Sequence, residues 1–230
     1  MTCSSSQDPA GPVSGGPVSG GPVTAGDVNL AVEFSLSALG GALTANWRAR
    51  AGSTDWDCWE TIEHVCDDLF AYAAQLGPSA PALIDPVPFA CAERRPGGPA
   101  CAITADPSAG PAGLLQVLAA TGALLATMVA ATPVSGPPPR PFGVADPGCF
   151  AAAVGVAETL LHTHDAAVGL DVSWAPPAGP CRRALARLFP GAPAAADPWT
   201  ALLWATGRGE LPGQPVVSEW HWHTGPPSRG

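Results

Sequence analysis

Four long apolar stretches with helical spacing, separated by segments rich in Pro and Gly, constrain this chain most strongly. The clearest one begins at Asp57 and Glu60, which have capping-box spacing, and ends at Gly77-Pro78. Its apolar stripe is Ile62, Val65, Leu69, Tyr72 and Leu76. Helices with one apolar face must bury that face against each other, so the pattern predicts a mainly all-α fold built on a four-helix bundle.

The first and fourth helices are marked by their starts. Asp27 is a candidate N-cap, and apolar residues then recur at three- and four-residue intervals as far as Trp47. Residues 28–36 also alternate like a strand, which leaves that alternative open for the beginning of this helix. Asp146-Pro147 has the N-cap and first-turn pattern of a helix that runs to about Gly169.

The third helix is predicted at residues 111–131, within an uncharged stretch at 112–134. This stretch is long enough to cross a bilayer. It is rich in Ala rather than Leu, contains Gln116, and lacks nearby basic residues to set an orientation. We therefore expect a helix buried in the bundle and no membrane span.

The chain divides into three parts by composition. Residues 1–26 form a Gly/Pro/Ser-rich tail that is expected to be disordered, residues 27–170 form the bundle, and residues 171–230 form a small C-terminal appendage. The appendage contains two short helical patterns, at 181–189 and 197–207, and a strand-like alternation at 216–223, so it is predicted to be α or α+β. Residues 78–110 read as a long irregular connection.

Composition excludes several classes of function. The net charge of -9 and the pI near 4.8 argue against binding to nucleic acid, which needs clustered cations. Seven Cys without a C-x-x-C pair indicate neither a disulfide framework nor a cysteine-based zinc site. The first residues lack the features of a secretory signal, so a cytoplasmic location is expected.

A candidate metal site combines the second and fourth helices. Glu158 and His162 are four residues apart on an otherwise apolar helix, so both leave the same face. His64 on the second helix can meet them across the bundle interior. Two His and one Glu leave a fourth position open, as in catalytic zinc sites. Zn²⁺ fits these ligands best, and Ni²⁺, Co²⁺ or Fe²⁺ would be tolerated. A solvated Glu–His pair on the surface is the alternative.

Three segments also resemble a known family. The segments WDCWETIEHVCDDLFAYAAQL (56–76), AETLLHTHDAAVGL (157–170) and DPWTALLWATGR (197–208) are similar to the mycothiol-dependent maleylpyruvate isomerases and the DinB-like superfamily. The resemblance implies a four-helix bundle that binds a divalent metal through a His on helix two and E-x-x-x-H on helix four. Those positions are His64, Glu158 and His162 here.

The resemblance also implies an activity. Mycothiol, a low-molecular-weight thiol, would bind the metal as cosubstrate and attack a small electrophile, giving S-transfer or cis-trans isomerisation. The family's isomerase has a sizeable C-terminal domain, whereas this chain has about sixty residues after the bundle. This departure weakens isomerisation in particular.

Two further residues are candidate catalytic groups. Asp68, four residues after His64, is placed to orient that imidazole or reach the metal, although an exposed acidic residue would show the same spacing. Arg208 is placed to bind a substrate carboxylate, or to stabilise the end of its helix. Asp165 returns to the metal face of the fourth helix, whereas His164 points away from it.

The expected partners are a small thiol and a small electrophile, with no nucleic acid and no membrane, and a homodimer is left open. One alternative function is a non-catalytic bundle that binds a metal or a small ligand. Another is a bundle without metal, in which His64, Glu158 and His162 hydrogen-bond to one another.

Overall fold

The structure is a computed structural model that describes residues 20–78, 84–133 and 140–225. In these residues the chain is mainly helical, which confirms the predicted fold class. Most of the predicted N-terminal tail, residues 1–19, lies outside the described residues. The helices are α1 (Ala25–Gly40), α2 (Cys58–Leu76), α3 (Gly110–Ala131), α4 (Pro147–Gly169), α5 (Ala178–Leu188) and α6 (Pro198–Ala205). The strands β1 (Ala92–Glu93) and β2 (Ala100–Cys101) form an antiparallel hairpin that the sequence did not predict.

The first four helices form the bundle. Both α1 and α2 pack against α3 and α4, so the two helices that are adjacent in sequence lie across the bundle from each other. The bundle core is built from fully buried aliphatic side chains such as Leu39, Leu69, Leu118 and Leu160. Helix α5 packs on α4 and α1, and α6 packs on α5. The C-terminal helices therefore extend the bundle on its α4 side.

Helix α1 differs from the prediction at both ends. It begins at Ala25 behind Thr24, and Asp27 lies inside the first turn, where its carboxylate accepts hydrogen bonds from Thr24. The prediction that Asp27 is the N-cap is therefore wrong. The helix ends at Gly40, so Trp47 lies in the following loop, where it is buried and its indole N–H donates to the Ala42 carbonyl. Gly40-Gly41 ends the helix before the apolar pattern does.

Helix α2 agrees with the prediction. Asp57 accepts from the Glu60 backbone N–H, and Glu60 accepts from that of Asp57, so the capping box is present. The acidic side chains on one stripe of this helix also hold the irregular connection. Glu60 binds Arg95, and Glu63 binds Arg94 and the backbone N–H of Ala105.

Helix α4 begins and ends as predicted, but Asp146 does not cap it with its side chain. The carboxylate instead pairs with Arg187 of α5. At the other end of the helix, a Cβ on Gly169 would lie 2.4 Å from the Arg50 carbonyl oxygen and 2.5 Å from Cys58 Sγ. Only glycine permits this close approach between α4 and the start of α2.

Helix α3 has the length and apolar composition of a membrane span when the preceding turn is included, over Pro107–Ala131. Of its most apolar window, 39% is buried inside the structure. Its packing against α1 and α2 is compatible with a soluble bundle.

The C-terminal segment contains no strand within the residues described up to 225, so the predicted strand at 216–223 is wrong. Trp220 and Trp222 pack against each other and against Phe189 at the end of α5. The His223 backbone N–H donates to the Leu188 carbonyl. The alternating aromatic residues therefore dock on a helix end instead of pairing with another strand.

Candidate metal centre

The structure brings His64, Glu158 and His162 together between α2 and α4. One donor atom from each side chain lies within 4.8 Å of the other two, so this triad can hold a metal ion. His162 is buried, and the other two are half-buried. The i, i+4 spacing on α4 brings Glu158 Oε2 to 3.1 Å from His162 Nε2.

The His162 ring is held from both sides. Its Nδ1 lies 3.2 Å from Asp165 Oδ2, one helical turn further along α4. Because the pKa of Asp165 is lowered, its carboxylate stays ionised and accepts a hydrogen bond from Nδ1–H, which leaves Nε2 for Glu158 or a metal. Asp165 itself is enclosed by Gly52, whose Cβ, if present, would lie 3.0 Å from Oδ1. Gly52 has a φ of +51°, which favours glycine at this position.

Arg208 lies behind His162, on the side away from Glu158. Its Nε lies 3.3 Å from Asp165 Oδ1, and its Nη2 lies 3.0 Å from Asp165 Oδ2. The Arg208 and Asp165 side chains are largely buried, and the guanidinium binds the carboxylate as a bidentate pair. Arg208 therefore contacts Asp165, and Asp165 contacts His162. Arg208 and Asp165, which were predicted separately from the sequence, thus belong to one chain of contacts.

Asp68 lies beside His64, with Oδ2 at 3.3 Å from Nε2. Tyr72 follows one turn later, and its phenol is close enough to Asp68 and Glu158 for their charges to raise its pKa, in addition to the larger effect of burial. His64, Asp68 and Tyr72 thus form a polar stripe along α2 that faces Glu158. By contrast, His164 packs edge-on against Trp199, away from the triad.

The two imidazoles have opposite pKa shifts. Burial and the neighbouring charge of His162 lower the pKa of His64 to about 4, so this ring is neutral at pH 7. Burial would also lower the pKa of His162, but its hydrogen bonds to Asp165 and Glu158 outweigh that effect and raise the pKa to about 9. The neutral ring of His64 is therefore free to bind a metal, whereas His162 must first release a proton.

The pKa values of Asp68 and Glu158 are also shifted in opposite directions. Burial raises the pKa of Asp68 well above its ordinary value, and the Glu158 charge adds to the effect. For Glu158, burial acts in the same direction, but hydrogen bonding to His162 and its charge hold the pKa below its ordinary value. Glu158 is therefore the anionic ligand candidate, and Asp68 is a carboxyl group able to exchange a proton nearer neutral pH.

Trp56 is a site residue that sequence reasoning did not single out from the other tryptophans. Its ring centroid lies 4.8 Å from that of His64 and 6.2 Å from that of His162. The indole N–H donates to the Gly97 carbonyl, which ties the ring to the connection after β1. Trp56 precedes α2, so helical periodicity could not place it. The aromatic residue just before the capping box was the available signal.

The triad residues fit a divalent metal by donor type and by spacing. Zinc bonds to His nitrogen and carboxylate oxygen are about 2.1 Å long, which in a tetrahedron puts donor atoms about 3.4 Å apart. Side-chain rotation can close the difference from the observed spacing. Two neutral imidazoles and one carboxylate would leave a fourth position for another ligand.

Comparison with known proteins adds no assignment, since no family model, no curated protein and no solved structure matches this chain.

Proposed function

We propose that this protein is a metal-dependent enzyme that uses a low-molecular-weight thiol, mycothiol, to attack a small electrophile. The observation that carries the proposal is the His64, Glu158 and His162 triad, whose donors converge from two helices. Zn²⁺ is the preferred metal by ligand type, and the resemblance of residues 56–76, 157–170 and 197–208 to the DinB-like proteins supports the thiol. A soluble protein in the cytoplasm is part of the same proposal.

Each residue of the triad has a distinct task in this proposal. His64 supplies a neutral imidazole, because its pKa is about 4. Glu158 supplies the negative charge, and His162 is aimed by Asp165, which Arg208 holds in place. A divalent metal held by these groups would stabilise a thiolate near neutral pH.

Asp68 is the residue that we assign to proton transfer. It lies beside His64, and burial raises its pKa, which brings it closer to the range in which a carboxylate accepts a thiol proton. In S-transfer, the sulfur forms a bond to the electrophilic carbon, and the leaving group departs with its electron pair. The proton of the thiol passes to Asp68 and then to the leaving group or to water.

Isomerisation is the second form of the same chemistry, in which the sulfur adds to a double bond, the adjacent bond rotates, and the sulfur is eliminated. Arg208 was the candidate for a substrate carboxylate, and its bidentate pairing with Asp165 favours a positioning role instead.

Elemental analysis tests the proposal first. Wild type, His162→Ala and the control His164→Ala are purified without chelators or a His-tag, loaded with zinc and dialysed. We expect about one zinc per chain in wild type and in the control, and far less in His162→Ala. Absence of zinc from wild type would contradict the metal site and leave a metal-free bundle in which the triad residues hydrogen-bond to one another.

Thiol binding tests the second step. Cobalt-loaded wild type is titrated with mycothiol while the visible absorption spectrum is recorded. A new sulfur-to-metal charge-transfer band is expected, because the thiolate would enter the fourth position. An unchanged spectrum in a protein that holds metal would favour the alternative function, a non-catalytic metal or small-ligand binding bundle.

A further inference from the structure

A polar pocket of about 440 Å³ adjoins the metal centre. Trp56 is common to both, since it lines the pocket and its ring also contacts the His64 and His162 rings. The other lining residues are Arg48, Arg50, Asp55, Asp57 and Arg95. The described residues thus place three arginines next to a site proposed for small-molecule chemistry.

The local backbone explains why two of these arginines share a side. Residues 47–49 form a turn and a bend, and Arg50 then forms an isolated antiparallel bridge with Asp57. Trp47 and Ala51 are buried, whereas Arg48 and Arg50 are exposed. This turn and bridge place both guanidinium groups at the same opening.

These two arginines retain unused hydrogen-bond donors. Among the described residues, the only hydrogen bond of the Arg48 guanidinium runs from Nη1 to Asp57. Arg50 uses Nε and Nη2 for Thr54, Ser53 and Asp55, which leaves Nη1 without a partner there. A guanidinium carries five N–H donors, so each group can bind another oxyanion without giving up these contacts.

The acidic residues in the pocket offer limited competition. The Arg50–Asp55 pair is highly exposed, at 64% and 91% for the two side chains, and an exposed pair of this kind contributes little to stability. Asp55 can therefore swing away when an anion arrives. Asp57 is occupied by the α2 cap, and Arg95 is fixed by both oxygens of Glu60. Arg95 is thus held in place by Glu60, whereas Arg48 and Arg50 are free to adjust to a ligand.

The local charge is unusual for this protein. The chain has ten basic residues and a net charge of -9, yet three of its arginines line one pocket. Each of these arginines is paired with one carboxylate, so the attraction for an anion comes from the guanidinium N–H donors of Arg48 and Arg50 that remain free. Arginine also matches the planar oxygens of carboxylate and phosphate groups.

We propose that this pocket binds the anionic end, a carboxylate or a phosphate, of the small molecule that reacts at the metal centre. The inference rests on the proposed function for the identity of the ligand, whereas oxyanion binding at the pocket can be measured independently. Trp56 belongs to both regions, because it lines the pocket and its ring centroid lies 4.8 Å from that of His64.

Calorimetric titration of the full chain with succinate and, separately, with inorganic phosphate tests this pocket. Succinamide serves as the uncharged probe. The variant Arg48→Gln/Arg50→Gln is compared with Arg182→Gln, which removes an exposed arginine of α5. We expect the double variant to bind the preferred anion at least tenfold more weakly, the control to match wild type, and succinamide not to bind. Preference for succinate would assign a carboxylate, and preference for phosphate would assign a phosphate ester.

Zinc affinity of the same proteins separates this inference from the proposed function. The double variant is expected to bind zinc as tightly as wild type, because neither arginine contacts the triad. If wild type binds no anion, or if the double variant binds it as tightly as wild type, the proposal of an anion-binding pocket is wrong even if zinc binds. Anion binding at the pocket without zinc binding would leave the pocket standing and contradict the metal-dependent enzyme.

Discussion

Two neighbouring stripes of α2 carry buried polar side chains, and the rest of the chain satisfies them to different degrees. The loop-holding stripe is Glu60, Glu63 and Asp67. The site stripe is His64, Asp68 and Tyr72. Glu63 accepts hydrogen bonds from Arg94 and the Ala105 backbone, and Asp67 accepts from two backbone N–H groups. Among the described residues, the Asp68 carboxyl group pairs only with His64, whose ring is neutral at pH 7.

The difference separates a structural use of buried charge from a functional one. A buried carboxylate that receives an arginine or backbone donors has its hydrogen-bonding capacity satisfied, and it fixes the loop that supplies those donors. A buried carboxylate beside neutral or anionic groups keeps a raised pKa, which costs stability and is retained where chemistry uses it. Four predictions test this contrast, from the largest expected effect to the smallest.

Glu63→Ala tests the loop-holding stripe. The substitution leaves Arg94 and the Ala105 N–H without their buried acceptor, so we expect the free energy of unfolding to fall by about 3 kcal/mol. Urea denaturation measures the change, and Glu33→Ala, at an exposed position of α1, is the control. Zinc affinity should stay unchanged in the folded variant. Loss of zinc binding at unchanged stability would reverse the assignment of the two stripes.

Asp165→Asn tests the contacts behind His162. Without the charge of Asp165, His162 loses the anion that fixes its orientation and its proton position, so zinc affinity should fall about 10- to 100-fold. Competition with a chelator measures the affinity, and the spectrum of the cobalt form should change because the ligand geometry changes. Arg208→Gln should act in the same direction with a smaller effect. The exposed Asp171→Asn is the control, and equal affinities in all four proteins would refute a positioning role.

Zinc affinity should depend on pH through His162 alone. The metal displaces a proton from this residue below its pKa of about 9, whereas His64 is already neutral above about pH 4. Apparent affinity should therefore rise about tenfold per pH unit between about pH 6 and about pH 8, which corresponds to one released proton. Parallel chelator competitions across this range give the slope. A flat profile would show that His162 does not carry a proton that the metal must displace.

Asp68→Asn should have the smallest effect on stability. The folded-state pKa of Asp68 is raised, so its protonated form is favoured on folding and that contribution is lost as pH rises through the folded pKa. At pH 7 the metal-free variant should thus be as stable as wild type or up to about 1 kcal/mol more stable. At about pH 4 the difference should shrink. Urea titrations at both values measure it, and a marked destabilisation at pH 7 would place Asp68 with the loop-holding stripe.

Local signals predicted much of the fold and the membership of the triad. The capping box of α2, the Pro at the start of α4 and the four-residue spacing of Glu158 and His162 depend on residues within one or two turns. That the triad binds a metal stays a prediction. Local patterns did not predict contacts between residues that are distant in sequence. The Asp146 side chain pairs with Arg187 instead of capping α4, and Arg208 pairs with Asp165, 43 positions earlier.

The end of α1 shows the same limit for a different reason. The apolar pattern continued as far as Trp47, yet the helix ends at Gly40-Gly41. The indole of Trp47 is buried in the loop that follows. Hydrophobic spacing reports that a residue is buried, whereas helix continuation depends on backbone propensity. Trp56 likewise joined the site from a loop, where no periodic pattern applies.

Gly169 has a consequence for the spacing of the triad. The three side chains come from two separate helices, so the distance between α2 and α4 limits how closely their donor atoms can approach. A methyl group at residue 169 would press on the Arg50 carbonyl and on Cys58 Sγ, and would push the end of α4 away from the start of α2. The distance between the donor atoms of the triad would then depend on a residue outside the triad.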